Sequence, residues 1–204
     1  MSDGTRRLLA ACSLLLSYPD EATYERLPLL RDAALPGHAR EQLRRVADWL
    51  DEVGVLQAQS HYVEIFDRRR KACLYLSYFL NGDTRRRGMA LVRFQDAYRG
   101  AGFSLGTGEL PDFLPVVLEF GAVGDLDAAL DLMGRHRPGI ELLEHALRGF
   151  GSAYADVVAA LLPVVPALAE GPAAEELAAS GPPMEMVGLT PFVPIDTLRV
   201  EARA

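Results

Sequence analysis

Apolar residues recur along the chain at three- and four-residue spacing, the period of a helix with one buried face. Leu8, Cys12, Leu15 and Leu16 make the first such stripe. Asp20 can cap a second helix running to about Ala33, with Tyr24, Leu27 and Leu30 on one side, before Pro36-Gly37 breaks it. Leu43, Val46, Ala47, Leu50 and Val53 form the stripe of the next. After Gly54, the segment Leu56 to Phe66 brings Ala58, Tyr62, Ile65 and Phe66 to a common face.

The run from Ala72 to Leu80 is apolar all round, which fits a buried helix or a buried strand. With no convincing second strand to pair with it, a helix is expected. Asn81-Gly82-Asp83-Thr84 reads as a turn in which Asp83 caps a helix that stops near Ala101-Gly102. Pro111 to Val123 follows, with proline at an early helical position, then Asp125 to Arg135, Gly139 to Phe150 and Ser152 to about Leu162. The last carries Tyr154, Val157, Val158, Leu161 and Leu162 on one stripe, and Pro163 and Pro166 end or kink it. From Gly171, through Gly181-Pro182-Pro183, Pro191 and Pro194, the chain reads as irregular. The expected architecture is all-α: a single-domain helical bundle over residues 1–170 with an irregular, Pro-rich C-terminal tail over residues 171–204.

Composition agrees with that class. Half of the 204 residues are apolar, enough for a sizeable core, and Ala and Leu are used more heavily than Val and Ile. Cys12 and Cys73 stand far apart without ligand spacing, so neither a disulfide framework nor a zinc site is expected, and a reducing compartment is. Arg6-Arg7 before an apolar run looks like an export signal, and Leu9-Ala10-Ala11-Cys12 like a lipoprotein cleavage box. Such a signal needs about 7 to 15 apolar residues ahead of the cleavage site. Only Leu8 to Ala11 precede the cysteine, so the stripe reading is preferred. No apolar run reaches the length of a membrane span, and a cytoplasmic protein without membrane insertion is expected.

The net charge of −7 is unevenly spread: −4 over residues 1–67, +7 over 68–99 and −10 over 100–204. The basic band opens an alternative function, a nucleic-acid-binding helical regulator that holds phosphates with Arg68, Arg69, Arg70, Lys71, Arg85 and Arg86. The acidic whole and the lack of interleaved aromatics favour no nucleic acid, the band neutralising the chain's own acidic parts instead.

The sequence shows no pattern that carries catalytic chemistry. His61 with Glu64, and Glu141 with Glu144 and His145, have the residue types of a di-iron bundle site but not its Glu-x-x-His order. The sequence holds no phosphate-binding loop, dinucleotide glycine set or nucleophile elbow. No catalytic residue, metal site or cofactor is expected, and the chain reads as a binder rather than an enzyme.

Arg85-Arg86-Arg87 is the unusual feature, three cations at a helix start, where the dipole disfavours them. On a helical wheel Arg87 joins the buried stripe of Leu91, Phe94 and Tyr98, while Arg85 and Arg86 point elsewhere. A guanidinium in an apolar seam requires a carboxylate, because a lone buried charge costs several kcal/mol. Glu64, Asp67 and Glu119 are the candidates for this structural ion pair.

Three blocks carry a resemblance to a known family: His61-Tyr62-Val63-Glu64-x-Phe66-Asp67, Leu74-Tyr75-Leu76-Ser77-Tyr78-Phe79, and Gly82-Asp83-Thr84-Arg85-Arg86-Arg87-Gly88-Met89-Ala90-Leu91. With Tyr98, Gly102-Phe103, Glu109-Leu110-Pro111-Asp112 and Leu114-Pro115-Val116-Val117-Leu118-Glu119-Phe120, they closely resemble the delta subunit family of respiratory nitrate reductase over residues 61 to about 120. The resemblance implies an all-helical assembly chaperone that is absent from the finished enzyme and acts as a monomer or weak dimer. Its partner would be the apo catalytic (alpha) subunit of nitrate reductase, bound in the cytoplasm partly through its N-terminal segment. That subunit would be kept competent for molybdenum cofactor insertion before membrane docking, the chaperone holding no cofactor permanently. An amphipathic basic peptide would lay its apolar side in a groove with acidic rims. Tyr62, Glu64, Asp67, Tyr75, Tyr78, Asp112 and Glu119 are the residues expected to line or support that groove.

Overall fold

A computed structural model describes residues 2–82, 85–106 and 108–167. Among them are nine α-helices: α1 (Ser2–Leu16), α2 (Glu21–Asp32), α3 (Gly37–Tyr62), α4 (Leu76–Asn81), α5 (Arg85–Gly100), α6 (Leu114–Val123), α7 (Leu126–Arg135), α8 (Arg137–Gly149) and α9 (Tyr154–Leu161). The irregular tail expected from Gly171, and the cap expected at Asp83, lie outside the described residues.

The first stripe is the centre of the core. Leu8, Leu9, Cys12, Leu15 and Leu16 of α1 are all within 1 % of complete burial, and α1 packs on α6, α9, α3 and α2. The arginine pair that imitated an export signal is absorbed by the fold. Arg6 donates to the carbonyls of Gly121, Ala122 and Gly124 at 3.0–3.2 Å. These are carbonyls at the C-terminal end of α6, which a cation suits electrostatically. Arg7 pairs with Asp3 one turn earlier.

The α1–α6 contact needs Gly121. A Cβ there would lie 2.6 Å from Leu9 Cδ1 and 2.8 Å from Ala129 Cβ, so α6 is pinched between α1 and α7. Asp20 caps α2 as expected, its Oδ1 accepting from the Thr23 backbone N–H at 2.8 Å. Gly54 interrupts α3 with φ 72° and ψ 167°, backbone that a residue with a Cβ rarely adopts. Beyond Tyr62 the helix widens into a single π turn, Val63–Asp67.

Two expected helices start late. The Ala72 to Leu80 run becomes α-helical only from Leu76, where α4 begins, and α6 begins at Leu114 rather than Pro111. The reason is that the two segments pair with each other. Tyr75 bridges Phe113 antiparallel, the Leu76 N–H donates to Asp112 O at 3.0 Å, and the Leu114 N–H donates to Leu74 O at 2.8 Å. The missing strand partner was the start of the helix expected over Pro111 to Val123. Each helix opens where the pairing ends.

Candidate partner-binding face

Along α1, α2 and α6 the surface opens into a hollow of about 520 Å³. Leu14, Tyr18, Leu29 and Val123 supply apolar walls, with Asp20 and Glu119 among the charged groups. A second hollow of about 280 Å³, lined by Phe103, Leu105, Val116 and Phe120, shares Glu119 and Val123 with the first. The two therefore adjoin along α6. Among the described residues, half of the exposed large apolar side chains gather here: Tyr18, Leu29, Phe103 and Val123, which are 41–71 % accessible. A polar-rimmed cluster of that kind is the ordinary signature of a surface meant to be covered.

Behind it stands an aromatic group. Tyr18 meets Tyr62 edge-on at 5.5 Å, and Tyr62 packs on Phe66 and Tyr154 at 4.6 and 6.0 Å. The buried Tyr62 hydroxyl donates to Leu16 O at 3.1 Å, tying the start of the π turn to the end of α1. Burial, with the nearby Tyr154, Asp67, Tyr75 and Glu109, pushes that phenol well above its usual range, so Tyr62 stays neutral.

Arg87 occupies a separate box. Its side chain is 20 % exposed and its carboxylate partner is Asp112, whose Oδ2 lies 3.9 Å away on a side chain with no exposure. The expected partners Glu64, Asp67 and Glu119 are corrected by this geometry. The pairing of residues 74–76 with 112–114 draws Asp112 into the interior, something its spacing along the chain does not reveal. The same Oδ2 accepts from the Ser77 N–H at 3.1 Å and the Ser77 hydroxyl at 2.5 Å. The rings of Tyr75 and Tyr78 lie 5.5 and 6.0 Å from the guanidinium carbon, within cation–π range. The Tyr75 hydroxyl donates to Glu109 at 2.9 Å. Burial, and then that carboxylate, raise its pKa.

The structure thus divides the expected residues. Tyr75, Tyr78 and Asp112 converge on Arg87; Tyr62 backs Tyr18 at the hollow; Glu119 lies on both hollows. Glu64 is held by Arg69 at 2.8 Å and Arg68 at 3.5 Å, with its pKa lowered chiefly by Arg69. Asp67 is exposed at the end of the π turn. Sequence reasoning missed Tyr18, Leu29, Phe103 and Val123. A signal existed for Leu29, a large apolar residue off the Leu27–Leu30 stripe of its own helix.

Among the described residues no group of three or more His, Cys, Asp or Glu side chains could hold a metal ion, and no helix is long and apolar enough to cross a membrane.

The sequence profile of the family described as the nitrate reductase delta subunit matches residues 32–160. The chain is 40 % identical over 152 residues to a nitrate reductase-like protein, NarX, of Mycobacterium tuberculosis, a match covering 73 % of this chain and 23 % of that protein. It is 32 % identical over 157 residues to the probable nitrate reductase molybdenum cofactor assembly chaperone NarJ of Bacillus subtilis, covering 75 % of this chain and 85 % of the relative. For the Escherichia coli nitrate reductase molybdenum cofactor assembly chaperone NarJ the identity is 33 % over 152 residues, 72 % of this chain and 64 % of the relative. The chain therefore spans less than a quarter of the mycobacterial relative's length and most of the bacillar one's.

Proposed function

The chain belongs to the nitrate reductase delta subunit family, and from that premise we propose that it is a non-enzymatic assembly chaperone for the catalytic subunit of a nitrate reductase. It binds the apo subunit in the cytoplasm, partly through that subunit's N-terminal segment, and keeps it open to molybdenum cofactor insertion before the subunit docks at the membrane. The Bacillus and Escherichia relatives named as cofactor assembly chaperones support the role.

The single observation that carries the binding mode is the clustering of Tyr18, Leu29, Phe103 and Val123 along two adjoining hollows. An amphipathic helix laid there would cover these side chains, and Glu119, exposed between the two hollows, would meet a cation on its polar side. Tyr62 supports the floor through Tyr18. Tyr75, Tyr78 and Asp112 act from behind by fixing Arg87 and the start of α6, and Glu64 and Asp67 carry acidic charge on the adjoining turn.

Calorimetry with the N-terminal peptide of the cognate catalytic subunit tests this. Leu29→Asp and Glu119→Lys alter exposed side chains and should each weaken binding at least about tenfold, the loss typical of a residue that carries interface energy, with the melting temperature unchanged. Undiminished affinity in both would remove the peptide from this hollow. Co-purification from cells with and without molybdenum cofactor synthesis tests the role itself: the chaperone should accompany only the apo subunit, and fixed-ratio recovery with the mature enzyme would make it a structural subunit.

A further inference from the structure

Between α5 and α7 lies a third cavity of about 800 Å³, which shares no residue with the hollows along α1, α2 and α6. Phe94, Leu132 and Met89 give it apolar walls, and Met89 is 67 % exposed. α5 packs chiefly on α4 and buries only Phe94 and Tyr98, so most of this 16-residue helix is left uncovered. In the same lining Arg86 and Arg93 stand seven positions apart on one side of α5, two turns and about 10.5 Å along the axis. Both are exposed and neither forms an ion pair among the described residues, whereas Arg135 is held by Asp131 at 2.7 Å. The cavity therefore fits a helix that carries an exposed apolar side chain between two carboxylates seven positions apart.

The described part of the chain contains such a helix. Within its helices two acidic pairs have that spacing, Glu25 with Asp32 on α2 and Glu41 with Asp48 on α3. On α3 both carboxylates are already held, Glu41 by Arg44 at 3.0 Å and Asp48 by Arg31 at 3.1 Å. On α2 Glu25 and Asp32 are exposed and form no ion pair among the described residues. Leu29, four positions after one and three before the other, shares their side of the helix and is 71 % exposed. Arg26 turns aside from this row and lines the hollow along α1, α2 and α6. α2 thus presents outward an apolar side chain flanked by two unpaired carboxylates, at the spacing of the two unpaired arginines of α5.

We propose that this chain self-associates, α2 of one copy lying in the cavity between α5 and α7 of another, with Leu29 against Met89 and the Glu25–Asp32 pair against Arg86 and Arg93. The matched spacing, free on one helix of the chain, selects a second copy as the occupant. The two surfaces differ, so each copy offers one of each and copies join head to tail. One helix face is a small interface, so the association is weak and depends on concentration. Leu29 also lines the hollow along α1, α2 and α6, so an associated copy withholds it from the client peptide. That consequence rests on the peptide reading above; the association does not.

Sedimentation velocity on the full chain, from micromolar to millimolar concentration, tests the proposal. At low salt the average mass should rise with concentration, and added salt should lower it. Arg86→Glu with Arg93→Glu, and separately Glu25→Arg with Asp32→Arg, should each move that rise at least about tenfold upward in concentration, because like charges then face each other. Both variants alter exposed side chains and should melt as the parent chain does. An equimolar mixture of the two should associate again, each supplying the surface that the other needs. A parent chain at monomer mass throughout overturns the self-association and leaves the cavity to an acidic helix of another protein. Association unchanged in either variant, or a mixture of folded variants that stays monomeric, overturns this pairing of surfaces. The N-terminal peptide of the cognate catalytic subunit should return the assembly to single copies. Peptide bound, by calorimetry, without loss of mass overturns the competition, whereas peptide not bound at all counts against the peptide reading instead.

Discussion

Arg87 and Asp112 are separated by 25 positions yet depend on each other. Asp112 is completely buried and bound by Ser77, and Arg87, 3.9 Å away and partly exposed, supplies the positive charge. Removing the arginine leaves a buried carboxylate short of its counter-charge, a loss of about 3 kcal/mol at the lower end expected for broken buried pairs, since the contact is long. Arg85 is exposed at the first turn of α5, where a cation is mildly unfavourable. Arg87→Ala should therefore lower the thermal midpoint by several degrees while Arg85→Ala leaves it nearly unchanged. Equal midpoints would remove Arg87 from the apolar seam. In the double variant Arg87→Met with Asp112→Asn the charge is gone from both sides, and the loss should be smaller than the sum of the two single losses.

At the scale of elements, glycines fix where helices bend and touch. Gly121→Ala drives a methyl into Leu9 and Ala129, an overpacking that costs about 1–3 kcal/mol. Gly54→Ala has open space around it but must hold φ 72°, which costs about 1–3 kcal/mol in backbone strain. Both should lower the urea midpoint, and only Gly121→Ala should shift methyl resonances of Leu9. Unshifted Leu9 resonances would show that α6 does not pinch α1. Gly54 as a break, the Asp20 cap and the stripes of α1, α3 and α9 were legible because each is a local signal of spacing or turn chemistry. The pairing of Tyr75 with Phe113 was not, since it joins segments 38 positions apart through backbone groups, which every sequence supplies. The same long-range contact hid the partner of Arg87. Of the candidate site, Glu119 and Tyr62 were legible; Tyr18, Phe103 and Val123 were not, because exposure of an apolar residue depends on which neighbours fail to cover it.

Across the whole molecule, two histidines, one buried and one half-buried, set how stability follows pH. His136 lies against Phe94 at 5.1 Å, with Nδ1 2.8 Å from Leu132 O. Burial lowers its pKa from 6.5, more than the Leu132 carbonyl and Asp112 raise it, and Arg135 and Arg93 lower it further. His61, beside Trp49 and 2.9 Å from the Ser152 hydroxyl, is lowered from 6.5 by burial and by Arg69. Both are neutral in the fold at pH 7, whereas the unfolded chain takes up protons as pH falls through 6.5. Stability is thus fully present above that value and declines below it, down to the folded pKa of each histidine, at up to about 1.4 kcal/mol per pH unit for His136 and less for the half-exposed His61. A second decline belongs to stronger acid, where Asp20 and Glu64, lowered from 3.8 and 4.5 by the Thr23 bonds and by Arg69, become protonated. The melting temperature should accordingly fall between pH 7 and pH 5, before those carboxylates titrate. In the His61→Gln, His136→Gln double variant it should start lower and stay level over the same interval. A variant whose curve drops as steeply as that of the parent chain would place the proton uptake on other groups.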